Sequence, residues 1–205
     1  VMPEDLSVER AQTMRAYGAD IILTPRLGGM EYARDLALKM QSQGKGRVLD
    51  QFANADNPLI HQHTTGPEIW EQTQGRVTHF VSAMGTTGTI TGVSRYLKAQ
   101  NPQVRIIGAQ PAEGSRIPGI RKWPREYEPQ IYDRTAVDEL VSVTQADAEE
   151  TCRQMARQEG IFAGISSGGA CWVAQQIAAQ TPQATIVFIV CDRGDRYLST
   201  GIFPA

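Results

Sequence analysis

Residues 77–89 read VTHFVSAMGTTGT, an apolar run followed directly by a turn of glycine and threonine. The run Val77–Ser82 predicts a buried strand, and the periodic residues after the turn predict a helix to about Gln100. Val104–Gln110 predicts the next strand. A strand, a helix and a second strand in this order favour a parallel βαβ unit, so this part of the chain is expected to have an α/β fold.

The alternation of strand and helix continues on both sides of this unit. The further predicted elements are strands at Asp20–Thr24 and Val48–Phe52 with a helix between them, a strand at Val137–Val143, helices that follow Thr144 and Ser166, and a last strand at Thr185–Cys191. The first two strands are expected to pair in parallel as a second βαβ unit. The whole pattern predicts a doubly wound, mostly parallel sheet.

Irregular stretches divide the chain. Residues 53–75 contain Asn57–Pro58 and Gly66–Pro67, which are typical of loops and short helices. We therefore expect the remnant of a smaller α/β domain at residues 1–52 and a larger C-terminal domain at residues 53–205. Residues 111–130 predict a long irregular insertion, and such insertions are usually functional or disordered.

Composition excludes several classes of protein. The 205 residues carry 20 Lys+Arg and 22 Asp+Glu, so the near-neutral charge gives no general attraction to nucleic acid or anionic membranes. The longest apolar run, residues 184–191, is far shorter than the roughly 20 residues of a membrane helix. Three cysteines without a CxxC pair favour reduced thiols in the cytosol, and Cys191 is interpreted as a core thiol.

The turn at residues 85–89 has the chemistry of an anion-binding loop. Glycines allow a tight turn in which several N–H groups converge, and the following helix adds the positive end of its dipole. No lysine follows, and the spacing of Gly85, Gly88 and Gly92 differs from G-x-G-x-x-G, so triphosphate and dinucleotide sites are not favoured. The pattern predicts either a phosphate site or an ordinary strand-to-helix turn.

A second strand-to-helix turn reads GISSGGA at residues 164–170. One serine could cap the helix, and one could donate to a ligand at the strand ends. The G-x-S-x-G pattern of hydrolases is present, but all three histidines, His61, His63 and His79, precede it. Because that fold needs a later histidine, a hydrolase is not favoured. His61 and His63 lack an evident third ligand for a metal.

Two further polar segments have open interpretations. The amides after Asp50 can bind a carboxylate or order a turn. Arg121-Lys122-Trp123 suits either an anionic substrate or a solvated loop. A nicotinamide-dependent oxidoreductase is not favoured, because the strand at Val104–Gln110 ends without the acidic residue that meets a ribose.

Taken together, four segments resemble the cysteine synthases, pyridoxal-phosphate enzymes of the tryptophan-synthase β-subunit type. In chain order the segments are DQFxNxxNP, SAMGTTGT, GISSGG and DRGDRYLST, and the family has them in the same order. GTTGT and RKWP resemble the B type in particular, since A-type enzymes usually carry a third glycine in this turn. The resemblance runs through all 205 residues.

The resemblance implies a cofactor, pyridoxal 5'-phosphate, and roles for individual residues. It implies that Ser166 bonds the pyridine nitrogen, that Gln51 meets the substrate α-carboxylate, and that Arg121 and Trp123 lie near the sulfur donor. The residues implied to hold the cofactor phosphate are Gly85, Thr86, Thr87, Gly88 and Thr89.

The implied reaction replaces the acetoxy group of O-acetylserine with sulfide or thiosulfate, which gives cysteine or S-sulfocysteine. The expected protein is a cytoplasmic homodimer that acts on small molecules and has no nucleic-acid partner, membrane partner or metal.

One departure from the family concerns catalysis. The family's Schiff-base lysine lies in a Ser-x-Lys-Asp-Arg segment, and none of Lys39, Lys45, Lys98 and Lys122 has that context. We therefore expect no catalytic lysine within these 205 residues, and we interpret them as the C-terminal two thirds of such an enzyme. The alternative is a non-catalytic module that retains the cofactor fold without the lysine.

Overall fold

The computed structural model describes residues 1–203 and divides into two compact units. The first comprises Val1–Asp50 together with the chain from Asp195 onward, and the second comprises Gln51–Gly194. The division near residue 50 lies close to the one expected at 52/53. The chain from Asp195 onward groups with the first unit, although the sequence assigned it to the larger domain.

The first unit contains two short strands and two helices. Its elements are β1 (Met2–Pro3), α1 (Val8–Ala16), β2 (Leu23–Thr24) and α2 (Gly29–Ser42). β1 pairs in parallel with β2, with Met2 opposite Leu23.

The predicted strand at Val48–Phe52 is wrong, and the one at Asp20–Thr24 is reduced to Leu23–Thr24. The backbone N–H of Val48 donates to Gln41 Oε1 at 2.7 Å instead of to a neighbouring strand. Asp50 has a φ of 41°, which an extended strand cannot contain. The expected pairing between these two segments is therefore wrong.

The second unit is a four-stranded parallel sheet covered by helices. Its elements are α3 (Asp56–His63), α4 (Thr65–Gln72), β3 (His79–Ala83), α5 (Gly88–Gln100), β4 (Arg105–Pro111), β5 (Glu139–Val143), α6 (Gln145–Glu159), α7 (Ile165–Gln180) and β6 (Ile186–Phe188). The strand order is β5-β4-β3-β6, and all neighbours run parallel. The predicted doubly wound α/β sheet is confirmed, although its last strand is shorter than Thr185–Cys191.

Alternating residues of the central strands face two different layers of helices. Phe80 and Ile106 pack into a core with residues of α4 and α5. Val81 and Ile107, their neighbours along the chain, pack against α7. Because successive side chains of a strand point to opposite faces, these apolar runs are buried on both sides of the sheet.

The strand order identifies where a ligand is expected to bind. The chain runs outward from β3 to β4 and β5, and then returns to place β6 on the other side of β3. In open parallel sheets, ligands bind outside the carboxyl ends of the strands at such a reversal. The segments that leave β3 and β6 at their carboxyl ends are residues 84–87 and 189–193.

Two local signals set the ends of α6, the helix expected after Thr144. Thr144 accepts from the backbone N–H of Asp147 at 3.1 Å, which caps the start of the helix. Gly160 ends that helix with a φ of 68°. The predicted irregular insertion contains a single short turn of 3-10 helix, Arg125–Tyr127, although Pro111 itself ends β4.

Within residues 1–203, no helix combines the length and apolar character needed to cross a membrane.

Candidate functional site

The glycine- and threonine-rich turn joins the end of β3 to the start of α5. Thr87 occupies the N-cap position with a φ of 71°, a left-handed conformation that is strained for a β-branched residue. Its Oγ1 is buried and has no hydrogen-bond partner among residues 1–203. Backbone strain and an unsatisfied buried donor commonly occur where a ligand completes the site.

Two glycines allow helix α3 to lie directly against the first turns of α5. A Cβ on Gly88 would lie 1.9 Å from Asn57 Oδ1, and one on Gly92 would lie 2.0 Å from the backbone O of Pro58. A larger residue at Gly92 would force the helices apart, because the atom that it meets is backbone, whereas one at Gly88 would displace the side chain of Asn57. The close approach brings polar side chains of α3 to the turn.

The side chain of Asn57 connects the segment after Asp50 with the glycine–threonine turn, two segments that are distant in the sequence. Its Nδ2 donates to the backbone O of Gln51 at 2.7 Å and to Thr86 Oγ1 at 3.2 Å. The backbone N–H of Gly88 also donates to Thr86 Oγ1, at 3.3 Å. The exposed side chain of Gln51 is thereby attached, through its own backbone, to the glycine–threonine turn.

His61 follows Asn57 by four residues on α3 and contacts the other end of the glycine–threonine turn. Its Nε2 lies 3.2 Å from Thr89 Oγ1, and its Nδ1 lies 2.9 Å from Thr65 Oγ1. Burial lowers the pKa of His61. In the sequence this histidine was a candidate only for a hydrolase triad, which its position does not favour, or for a metal site. The four-residue spacing of Asn57 and His61 is the sequence signal of a shared helix face, but it does not show that α3 lies beside the glycine–threonine turn.

Buried serines lie at the start of α7. Ser166 and Ser167 are 2% and 0% exposed. Gly164 occupies the N-cap, where no side chain caps the helix, so the capping interpretation of these serines is wrong. Ser167 Oγ accepts from the backbone N–H of Cys191 at 3.0 Å. The chain after β6 is thus fixed beside this helix start.

Cys191 is an exposed residue, so its interpretation as a core thiol is wrong. The surroundings of its sulfur nevertheless desolvate it and raise the pKa of the thiol, and a hydrogen bond with Ser166 partly opposes that rise. Ser166 therefore lies beside the segment that leaves β6 at its carboxyl end.

The segment between β4 and β5 folds back over the glycine–threonine turn. Trp123 Nε1 donates to the backbone O of Gly85 at 2.8 Å. The indole also meets the ring of Phe52 edge-on at 5.3 Å. The guanidinium carbon of Arg121 lies 5.5 Å from the indole centroid, which places a cation beside the turn. Gln51, Arg121 and Trp123 therefore all lie around residues 85–89.

Gly119 connects the turn with the serine at the start of α7, and nothing in the sequence indicated this. It has a φ of 94°, and a Cβ there would lie 3.1 Å from Ser166 Oγ. A Cβ on Gly85 would in turn lie 2.9 Å from the backbone O of Gly119. The glycine–threonine turn and Ser166 thus border the same region of the second unit.

A separate cavity of about 280 Å³ lies at the opposite, amino-terminal edge of the sheet. His79, Arg105 and Glu139, the first residues of three parallel strands, contribute to its lining. Because parallel sheets bind ligands at their carboxyl ends, we place the functional site at the turn rather than in this cavity.

The residues around the turn fit a bound phosphate group. The start of α5 offers helix N–H groups, and the buried Thr87 hydroxyl is a donor that still lacks an acceptor. Within residues 1–203, no group of three or more His, Cys, Asp or Glu could hold a metal ion. The contacts of His61 are instead with two threonine hydroxyls.

Comparisons with known proteins identify the class to which this fold and site belong. Residues 1–192 match the family of pyridoxal-phosphate dependent enzymes, and the chain belongs to that family. Its cofactor is accordingly pyridoxal phosphate. Over 203 residues the chain is 59% identical to "Cysteine synthase B" of Pseudomonas aeruginosa and 60% identical to that of Salmonella typhimurium.

The alignments extend over nearly all of this chain. They cover 99% of it in both cases, and 68% and 67% of the two relatives, so the chain spans about two thirds of their length. Among solved structures, O-ureido-L-serine synthase superposes with a TM-score of 0.90 at 35% identity, covering 98% of this chain and 67% of that one. A cysteine synthase of Entamoeba histolytica gives 0.87 at 37% identity, covering 100% and 63%.

Proposed function

We propose that the protein is a cysteine synthase, which replaces the acetoxy group of O-acetylserine with sulfide or thiosulfate and gives cysteine or S-sulfocysteine. The observation that carries the proposal is the glycine–threonine turn, with its strained Thr87 and unsatisfied buried hydroxyl at a helix N-terminus. The names of the relatives at 59% and 60% identity support the reaction. A non-catalytic module is not favoured, since those relatives are named as synthases.

The turn would hold the cofactor phosphate through backbone and hydroxyl donors. The residues assigned to this role are Gly85, Thr86, Thr87, Gly88 and Thr89. Bound pyridoxal phosphate supplies an electron sink for bond changes at the substrate. Hydroxyl and N–H donors at a helix start suit a dianion, because its charge faces the positive end of the helix dipole.

Ser166 is assigned to the pyridine nitrogen of the cofactor. A serine hydroxyl can bond that nitrogen without holding it protonated, as a carboxylate would. The ring would then withdraw electrons less strongly, which favours elimination and replacement at the substrate β-carbon over transamination. The burial of Ser166 and its contact with the segment after β6 support this role.

The substrate-binding roles fall to residues at the edges of the turn. Gln51 is assigned to the α-carboxylate of O-acetylserine, and Arg121 with Trp123 to the sulfur donor. We further propose that the functional domains divide at residues 52/53 and that the protein acts in the cytoplasm as a homodimer.

The function is tested with the protein at its natural length, loaded with pyridoxal phosphate and supplied with O-acetylserine and sulfide. We expect cysteine to form, detected by mass spectrometry, and no cysteine when serine replaces O-acetylserine. Tight retention of the cofactor without cysteine formation would contradict the proposal.

Arg121→Ala should distinguish between the two sulfur donors. Thiosulfate is a dianion, and a charge-assisted hydrogen bond to it is worth roughly 1.5–3 kcal/mol, so kcat/KM for thiosulfate should fall by about 10-fold or more. The kcat/KM for sulfide should change by less than about 3-fold, because sulfide has no oxygen atoms to accept hydrogen bonds from the Arg121 guanidinium. Lys122→Ala, which removes the adjacent cation, is the matched control and should affect neither donor. An equal loss for both donors would remove Arg121 from this role.

A further inference from the structure

Helix α3 presents two side chains to the turn in a regular spacing. Asn57 and His61 are four residues apart, so they lie on one face of the helix. Gly88 and Gly92 are likewise four residues apart on α5, and they accept that face at close range. The two helices therefore hold Asn57 beside Thr86 and His61 beside Thr89.

The hydrogen bonds that Thr86 Oγ1 accepts leave its hydroxyl proton available to donate to a ligand. A threonine hydroxyl has one proton and two lone pairs. Thr86 Oγ1 accepts from Asn57 Nδ2 at 3.2 Å and from the Gly88 N–H at 3.3 Å. Both acceptor positions are engaged by these two donors, so the hydroxyl is left to act as a donor.

The same accounting applies to Thr89. A neutral imidazole has one N–H and one acceptor nitrogen, and burial lowers the pKa of His61, which favours the neutral ring. When the proton is on Nε2, the ring donates to Thr89 Oγ1, and Nδ1 accepts from the Thr65 hydroxyl. The proton of Thr89 is then free for another acceptor.

We propose that Asn57 and His61 are positioning residues that donate to Thr86 and Thr89, and so direct the protons of both hydroxyls toward the cofactor phosphate. The inference rests on the proposed phosphate-binding role of the turn. Asn57 has a second effect, because the same Nδ2 holds the backbone O of Gln51. Formation of the phosphate site thereby also fixes the segment that would receive the substrate carboxylate.

Variants at Asn57 separate donation from packing. Asn57→Asp keeps the shape but replaces the donor with an acceptor, so Thr86 would turn its proton toward residue 57. We expect pyridoxal phosphate to bind the apoprotein about 30-fold more weakly or worse, since the donor is lost and a like charge is added. Asn57→Ala leaves the Thr86 proton free but undirected, so the loss should be about 3- to 10-fold.

Variants at His61 provide a second comparison without any added charge. His61→Gln can still donate from an amide nitrogen, and we expect it to retain affinity within about 3-fold. His61→Leu cannot donate, and we expect about 10-fold weaker binding. If His61 had only a structural role, His61→Gln and His61→Leu would change the affinity for pyridoxal phosphate by about the same factor.

The readout is equilibrium binding to the apoprotein at natural length, followed by tryptophan fluorescence, with pyridoxal phosphate and with pyridoxal, which lacks the phosphate. The proposal expects the losses only for the phosphorylated ligand, in the order wild type, Asn57→Ala, Asn57→Asp. Equal losses for both ligands, or Asn57→Asp binding as well as Asn57→Ala, would overturn it. The proposed function fails separately, if the wild-type protein itself does not bind pyridoxal phosphate.

Discussion

Gly168→Ala is expected to destabilise the protein by about 2–3 kcal/mol, whereas Gly169→Ala should be neutral or stabilising. A Cβ on Gly168 would lie 2.2 Å from the backbone O of Ala148 and 2.7 Å from Cys152 Cβ. Neither neighbour is the flexible end of a side chain, so α6 and α7 would have to separate. The start of α7 carries Ser166, and we therefore also expect weaker cofactor binding.

Gly169 supplies the matched control in the same helix turn. A Cβ there would meet Val143 Cγ1 at 3.4 Å, an ordinary van der Waals contact. Alanine in place of a helical glycine gains up to about 1 kcal/mol. Urea unfolding midpoints measure both variants. Equal shifts of the two midpoints would contradict the close packing of α6 on α7.

Thr87→Gly should separate stability from cofactor binding. Glycine adopts the left-handed conformation of residue 87 without strain, so the free energy of unfolding of the apoprotein should stay the same or rise by up to about 1 kcal/mol. The buried hydroxyl is lost, and a hydrogen bond to a charged group is worth roughly 1.5–3 kcal/mol, so pyridoxal phosphate should bind about 10- to 100-fold more weakly.

Two controls accompany this variant. Thr87→Ala loses the same hydroxyl but keeps the strained backbone, so its affinity should fall equally while its stability stays below that of Thr87→Gly. Thr91→Val removes another buried hydroxyl that has no partner among residues 1–203, one turn further along α5. It should leave cofactor affinity unchanged. If Thr87→Gly bound the cofactor as tightly as wild type, Thr87 would not be a phosphate donor.

The sheet was predictable where local and tertiary preferences agree. β3 and β4 are continuous apolar runs that the fold buries on both faces, so their sequence signal and their environment coincide. The predicted strand at Val48–Phe52 failed because apolar residues alone cannot show that Gln41 takes the Val48 N–H. A local sequence pattern shows which conformation a segment prefers, but whether the segment pairs as a strand depends on its neighbours in the fold.

The candidate site was predictable only in part for the same reason. Glycine, threonine and serine before a helix can be recognised locally, and the glycine–threonine turn does follow β3. The strand expected before the second turn is wrong, because α7 follows α6 directly, and its serines instead lie beside the segment after β6. The contributions of Asn57, His61 and Gly119 come from neighbouring segments. They require the packing of α3 on α5 and the course of an irregular segment, neither of which a sequence pattern encodes.

The central claim, that residues 85–89 hold the phosphate of pyridoxal phosphate, is tested most directly by NMR titration of the ¹⁵N-labelled apoprotein at natural length. We predict that the backbone amides of Gly85 and Gly88 shift and saturate together with cofactor binding, and that Thr87→Gly moves their midpoints to about 10-fold higher concentration or more. Saturable binding that leaves these amides unmoved, with shifts instead around His79 and Arg105, would contradict the claim.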